Sequence, residues 1–507
     1  MFSLADNFAI LVISLMGLVI IIWGYTRAKP YGEIGILAWL QSIALMLPWL
    51  IFFFLLSFGI YLNLIAVIFF LVFSAAVYIY LGNRIRTKAK ETIKTGLRVN
   101  PQSLEKTKEG QQTPEEKTPE ETSSLAVTSE TQITPIPEEE LKEIKGIFSI
   151  DTFFATETIP YQDGVIFKGN LRGEAEFSHR TLSQKLREKL GDKYRLFLVE
   201  TPEEKPVVVI LPATNDPRPL SLAQKNLAFA LFIVTIFTTM EAVAFLLGFD
   251  LVGNWQRWRE VLPLTLGLWL ILLAHEIAHH VVGRNRGVKV SLPFFLPSLQ
   301  IGSFGAITRF ESVIPNRSVL FDTAFAGPAT GFLVSLLILI IGMSLSTGNE
   351  GLEIPTLFFR GSILVGSIAK FFFQSSLEAD SIHVHPFTIL GWLGLVINAI
   401  NVLPAGQLDG GRMVQAIYGR KTCRRTTVGT LVVLGIVSLF NPINSLPFYW
   451  AIIILFLQRD LERPCLNELS EPDDTRAAWG LFMIFLSLAT LIPITPSLAT
   501  RLGIGIL

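Results

Sequence analysis

Apolar runs of about 20 residues, the length a helix needs to cross a hydrocarbon core, recur near 8–24, 35–57, 60–82, 224–248, 261–283, 320–345, 386–404, 427–441, 446–458 and 477–497. The pattern predicts helical spans, with 427–441 and 446–458 short enough to form a hairpin that does not fully cross. A further apolar stretch, 356–374, carries Arg360 and Lys370 and is expected to be re-entrant or interfacial. Between the third and fourth runs the pattern changes twice. Residues 99–140 are rich in Glu, Thr, Pro and Ser and nearly free of aromatics, the composition of a disordered linker. From 141 to 215 apolar positions return with strand spacing at 164–167, 195–199 and 207–211, and with a helical stripe of Leu182, Leu186 and Leu190 over 181–190. The expected fold is an all-α polytopic membrane protein with a small soluble α+β domain inserted before its helical core.

Composition agrees: half of the 507 residues are hydrophobic, 38 are Phe, 17% are charged, and the mean hydropathy is +0.50. A formal net charge of zero gives a nucleic-acid partner no electrostatic support. Lys and Arg set the expected orientation. They are missing from 1–7 but follow the first run (Arg27, Lys29), the third (83–98), the fifth (Arg284, Arg286, Lys289) and the seventh (Arg412, Arg420, Lys421, Arg424, Arg425), so these segments are expected on the cytoplasmic side. Arg257 and Arg259 are the conflict. The first run reads as a retained anchor, and a bacterial gene product is the simpler source.

Polar residues inside the 261–282 run are concentrated in HEIAHH, His275 to His280. In a helix His275 and His279 share one face and can bind one metal, while Glu276 projects beside them as a candidate general base. Ionisable groups at membrane depth are costly, and here zinc and an activated water would justify them. A catalytic site of this kind needs a third protein ligand and an open fourth position. Asp409, in the turn sequence NVLPAGQLDGGR after the 386–404 run, is the candidate, since both segments reach the same side. Pro404, Gly406, Gly410 and Gly411 would stop the helix and turn the carboxylate back. An Asp in an ordinary turn is the competing reading. Cys423 and Cys465 are too few for a disulfide framework and lack zinc-pair spacing.

The combination of HEIAH, the intervening GPATG and the downstream N-x-x-P and LDGG resembles the site-2 protease family of intramembrane zinc metalloproteases over about 260–420. Gly406 and Gln407 stand where family members often have Pro-x-Pro or Pro-Pro. That form, with FATETIPYQDGVIFKGNLRG and PFFLPSLQIGSFGAITRF, is similar to the plastid and cyanobacterial branch named for the ethylene-dependent gravitropism-deficient and yellow-green phenotype, extending the resemblance to roughly 140–500. Some relatives in that branch lack the zinc motif; this sequence keeps it. The resemblance implies one Zn²⁺ per chain on His275, His279 and Asp409, Glu276 as general base, and a transmembrane protein as substrate. It also implies a cyanobacterial plasma or thylakoid membrane as location.

The implied organisation is a three-span anchor (1–82), a basic juxtamembrane segment and linker (83–140), the α+β domain (141–215) and a catalytic membrane domain (220–507). The first three runs and the α+β domain have no assigned role, and a homo-oligomer stays open. Asn398 and Asn401 would hold substrate backbone or a developing oxyanion, or else bond helix to helix. Gly327, with Pro328 and Gly331, allows close helix approach or a local break near the site. The irregular or hairpin segment 288–310, with Pro293, Pro297, Gly302 and Gly305, would add an extended substrate as a strand, or only seal the site. His280 is expected to support or pack, His383 and His385 to lie away from the site, and His179 to be an ordinary surface residue. A metal transporter and a proteolytically silent scaffold are the alternatives.

Overall fold

Alternating apolar positions between 153 and 212 build an antiparallel sheet in the computed structural model of the chain. The structure describes residues 136–161, 163–201, 203–346, 351–440 and 446–504, with scattered positions from 25 to 84. It divides into two compact units, 1–129 with 439–443 and 130–438 with 444–507. Most of the three spans expected in 1–82, and the linker through 135, lie outside the described residues. In the second unit, α1 (Glu138–Lys145) and β1 (Phe153–Tyr161) precede β2 (Gly164–Leu171), α2 (Ala175–Leu190), β3 (Tyr194–Glu200) and β4 (Pro206–Pro212). The sheet order is β1-β2-β4-β3.

One sheet face, with Val165, Phe167, Leu196, Leu198, Val208 and Ile210, is buried with Leu182 and Leu186 of α2. This is the α+β domain expected from the pattern, with two additions. The strand β1 escapes the periodicity because a bulge between Ala155 and Glu157 breaks its alternation. Helix α1 buries Ile144 alone, so its anchor is invisible in an acidic sequence. His179 is not an ordinary surface residue: it is half-buried on α2, and its Nε2 lies 3.2 Å from the Leu196 carbonyl of β3.

Next come α3 (Leu222–Leu246) and α4 (Trp258–Asn285), a hairpin of β5 (Phe294–Ser298) and β6 (Gly302–Ile307), and α5 (Arg317–Leu345). The Ser221 capping box starts α3, and the Asn316 side chain caps α5. Beyond them lie β7 (Leu352–Pro355), α6 (Ile363–Phe373), β8 (Ser381–Val384), α7 (Pro386–Asn401), α8 (Asp409–Phe440), α9 (Leu446–Ile453), α10 (Asp474–Leu491) and α11 (Pro496–Leu502).

Among the described residues four helices are long and apolar enough to cross a membrane: α3, α4 with its preceding turn (Trp255–Asn285), α5 and α8 (Asp409–Leu439). The α10–α11 pair, bent by 88°, would make a fifth if it counts as one span. The sequence expectations need several corrections. The core is not all-α: β5–β6 is the hairpin that is one reading of 288–310, and β7–β8 is a second two-stranded sheet. The 427–441 run is no independent short span: it is the second half of α8, which starts at Asp409 and kinks at Gly419 with φ +80°. The charged residues between Arg412 and Arg425 are therefore helical, as Arg and Lys propensities allow. Helix α7 has 16 residues, about 24 Å at the helical rise and short of a hydrocarbon core of about 30 Å. It is largely apolar on its several faces because α4, α5 and α10 enclose it, with Asn398 and Asn401 turned to polar partners. Helix α6, with 11 residues, is too short to span, as Lys370 within it and Arg360 just before it anticipate.

The α+β domain is tied to the helical core through backbone. Leu198 N–H in β3 donates to the Leu466 carbonyl at 2.7 Å, and Glu468 N–H to the Leu198 carbonyl at 2.9 Å. On its other side the same segment donates from Leu466 to Ile314 and from Asn467 to Pro315, at 2.9 and 3.0 Å. Residues 466–468 thus form a strap paired on both edges.

Candidate metal centre

The buried stripe of α4 runs through Leu264, Leu268, Ile271, Leu272, His275, Glu276 and His279. Helical spacing therefore carries the HEIAH side chains onto the face that already packs inward. Asp409 comes from a different element, the first residue of α8, after residues 402–408 reverse the chain from α7. Gly410 permits that reversal: a Cβ there would fall 1.9 Å from the Val402 carbonyl oxygen. The carboxylate thus sits at a helix start rather than within the loop expected from the sequence.

The three groups meet. His275 Nε2 and His279 Nε2 are 3.1 Å apart, and Asp409 Oδ2 lies 3.2 Å from the first and 3.4 Å from the second. All three residues are buried. Among the described residues they are the group of His, Cys, Asp and Glu able to share one ion. Ligand bonds of about 2.0–2.1 Å in a tetrahedron place neighbouring ligand atoms about 3.3–3.4 Å apart, close to these separations.

Hydrogen-bond partners settle the ring tautomers. His279 Nδ1 is 2.7 Å from the Thr323 carbonyl, which can only accept, so Nδ1 carries the proton. Asn398 donates its Nδ2 to the Gly394 carbonyl at 2.8 Å, which turns Oδ1 toward His275 Nδ1 at 2.7 Å. In the neutral rings both Nε2 atoms then present lone pairs to each other and to a carboxylate oxygen. Three acceptors facing one another in a buried space fit a cation and little else.

Glu276 stands beside this trio. Its Oε1 is 4.0 Å from His275 Nε2, while Oε2 is buried with no hydrogen-bond partner. The carboxylate lines a cavity of ≈ 10 Å³, room for about one water, walled by Phe295, Gly305 and Ala306 of the hairpin and by Asn398 and Asn401 of α7.

The other candidates have protein partners. Asn398 orients His275, and Asn401 donates Nδ2 to the Phe304 carbonyl of β6 at 3.1 Å and to Ile397 at 2.8 Å. Gly327 lies under the His279 ring, where a Cβ would fall 2.2 Å from Nε2; at Gly331 one would fall 2.0 Å from Asn398 Oδ1. His280 bonds the Glu276 carbonyl one turn back. His383 faces Glu353 across β7–β8, and His385 caps α7 through Phe387 N–H. Sequence reasoning missed the Thr323 carbonyl, Arg412 and Glu462. Arg412, three residues after Asp409, was the visible signal.

The peptidase family M50 model matches residues 263–441, and the EGY3 middle domain model matches 142–217. The probable zinc metalloprotease EGY2, chloroplastic, of Arabidopsis thaliana is 38% identical over 366 residues, covering 71% of this chain and 65% of the relative. The match thus spans slightly under two thirds of that relative's length. The probable zinc metalloprotease EGY1, chloroplastic, of Oryza sativa subsp. japonica is 34% identical over 406 residues, 72% of this chain and 70% of the relative. For EGY1 of Arabidopsis thaliana the figures are 34% over 405 residues, 72% and 73%. No solved structure matches the chain. With lone pairs, carboxylate and unpaired glutamate arranged as the two motifs require, the chain belongs to peptidase family M50, site-2 protease type, in the EGY branch.

Proposed function

We propose that the chain is a membrane-embedded zinc metalloendopeptidase that cleaves membrane-spanning proteins. The supporting observation is the convergence of His275 Nε2, His279 Nε2 and Asp409 Oδ2 beside the unpaired Oε2 of Glu276. The names of the relatives, zinc metalloproteases of chloroplasts, agree with the donor set.

His275, His279 and Asp409 would hold the zinc, with Asn398 and the Thr323 carbonyl fixing the rings. When bound, the ion supplies Lewis acidity that lowers the pKa of a water molecule and polarises the scissile carbonyl. Glu276 accepts the proton given up by the attacking water and returns it to the departing amide nitrogen. Asn401 keeps β6 against the cavity. A substrate helix must unwind to expose its carbonyls, which are otherwise hydrogen-bonded within the helix. The excess of Lys and Arg after α4 and within α8 favours a site toward the cytoplasmic side of a photosynthetic membrane. A metal pathway would string polar groups along several helices; among the described residues there is one compact cluster.

The test is full-length protein in liposomes with a single-span substrate. Wild type should cleave, while Glu276→Gln and chelated wild type should not, and added zinc should restore the chelated sample. Equal cleavage by wild type and Glu276→Gln would overturn the assignment.

A further inference from the structure

Arg412 faces Asp409 one turn along α8 and is itself buried. Its Nη1 lies 3.8 Å from Asp409 Oδ1, an ion-pair contact on the oxygen turned away from the histidines. The rest of the guanidinium is committed. Nε donates to Glu462 Oε2 at 2.9 Å, Nη2 donates to the Thr308 carbonyl at 2.7 Å, and the group lies over the Phe310 ring at 4.9 Å. Glu462 is fixed in turn: its N–H donates to Gln415 Oε1 at 3.1 Å and its carbonyl accepts from Gln415 Nε2 at 3.2 Å. A buried ion pair is weak evidence for stability, because desolvation offsets its Coulomb gain. A planar fork held by two fixed acceptors and a ring, with the Asp409 carboxylate beside its remaining nitrogen, is a device for holding geometry.

We infer that Arg412, braced by Glu462, is a positioning residue for Asp409. It holds Oδ1 so that Oδ2 stays directed at the two imidazoles, and through Thr308 it anchors the end of the hairpin that walls the cavity. This rests on the metalloprotease reading and deepens it.

The test uses the full chain in detergent, with zinc affinity measured by competition against a chromophoric chelator and cleavage measured as kcat and KM. Folding is checked by circular dichroism and gel filtration. Arg412→Gln should weaken zinc by about 10–100-fold, the usual effect of removing an outer partner of a metal ligand, and should lower kcat with little change in KM. Arg412→Lys should recover part of the loss, since it restores the charge but not the fork, and Glu462→Gln should show a smaller loss. If Arg412→Gln does not fold, Arg412→Lys and Glu462→Gln carry the same readout. Folded variants that bind zinc as tightly as wild type would overturn the inference. Wild type that binds no zinc would instead sink the metalloprotease reading, and this inference with it.

Discussion

Gly327 of α5 and His279 of α4 approach so closely that a single methyl group on the glycine would fall 2.2 Å from the ring nitrogen directed at Asp409. Helix α5 donates no side chain to the metal site; it contributes the absence of one, together with the Thr323 carbonyl one turn earlier. Gly327→Ala should therefore displace the ring, weaken zinc binding and activity together, and destabilise the fold by about 1–3 kcal/mol, the usual range for overpacking. Gly429→Ala is the control: nothing lies within 4 Å of its Cβ position, so helix propensity should make it neutral or stabilising by up to about 1 kcal/mol. Thermal unfolding and zinc competition on both variants check this.

Asn398 offers a second probe of ring orientation, because it bonds His275 at Nδ1, the ring nitrogen away from the one directed at Asp409. Asn398→Leu should lower zinc affinity by about 10–100-fold. Asn398→Asp keeps an acceptor for Nδ1–H and should lose less. Similar losses in the two variants, measured by competition, would show that the amide acts by packing alone.

His179 links pH to the α+β domain. Burial against β3 holds its imidazole below the usual histidine range, with the Leu196 carbonyl opposing in part. The unfolded ring then binds a proton more readily than the folded one, so stability is full above the unfolded pKa and falls as pH drops through the folded value. Acidification from about pH 7.5 toward 5 should weaken hydrogen-exchange protection in β3, and His179→Gln should flatten that dependence. An equal pH response in the variant would sink the link.

The two thiols should be silent. Cys423 and Cys465 are both free and fully buried, and burial, reinforced by Glu468 and Glu462, pushes the Cys465 thiol well above the ordinary range. A membrane-impermeant maleimide at neutral pH should label neither until denaturant is added. Rapid labelling of the native protein would contradict the packing around 465.

The cluster of His275, His279 and Asp409 was legible because each member sits in a local pattern, HEIAH or LDGG, whose chemistry can be stated without the fold. What these residues lean on was legible only in part, since helix-to-helix bonding was one reading of Asn398 but its partner was not given. Asn398 meets His275 across 123 positions of chain, and Glu462 meets Arg412 across 50. Helical periodicity tells which face of a segment turns inward but not which other face it meets. Helix α7 illustrates a second limit: a segment enclosed on every side has the same composition as a span. The strand β1 shows a third, since one bulge erases the alternation by which strands are recognised.

The strap at 466–468 has a consequence for how this chain could be recombined with its relatives. It is hydrogen-bonded to β3 on one edge and to Ile314 and Pro315 on the other, and it lies a few residues after Glu462, which braces Arg412. The sheet of the 142–217 segment is therefore completed at β3 by a strip near the far end of the chain. A chimera that grafts it from a relative would have to import its partner strip near the far end of the chain as well, or it would leave an open edge a few residues from the glutamate that holds Arg412.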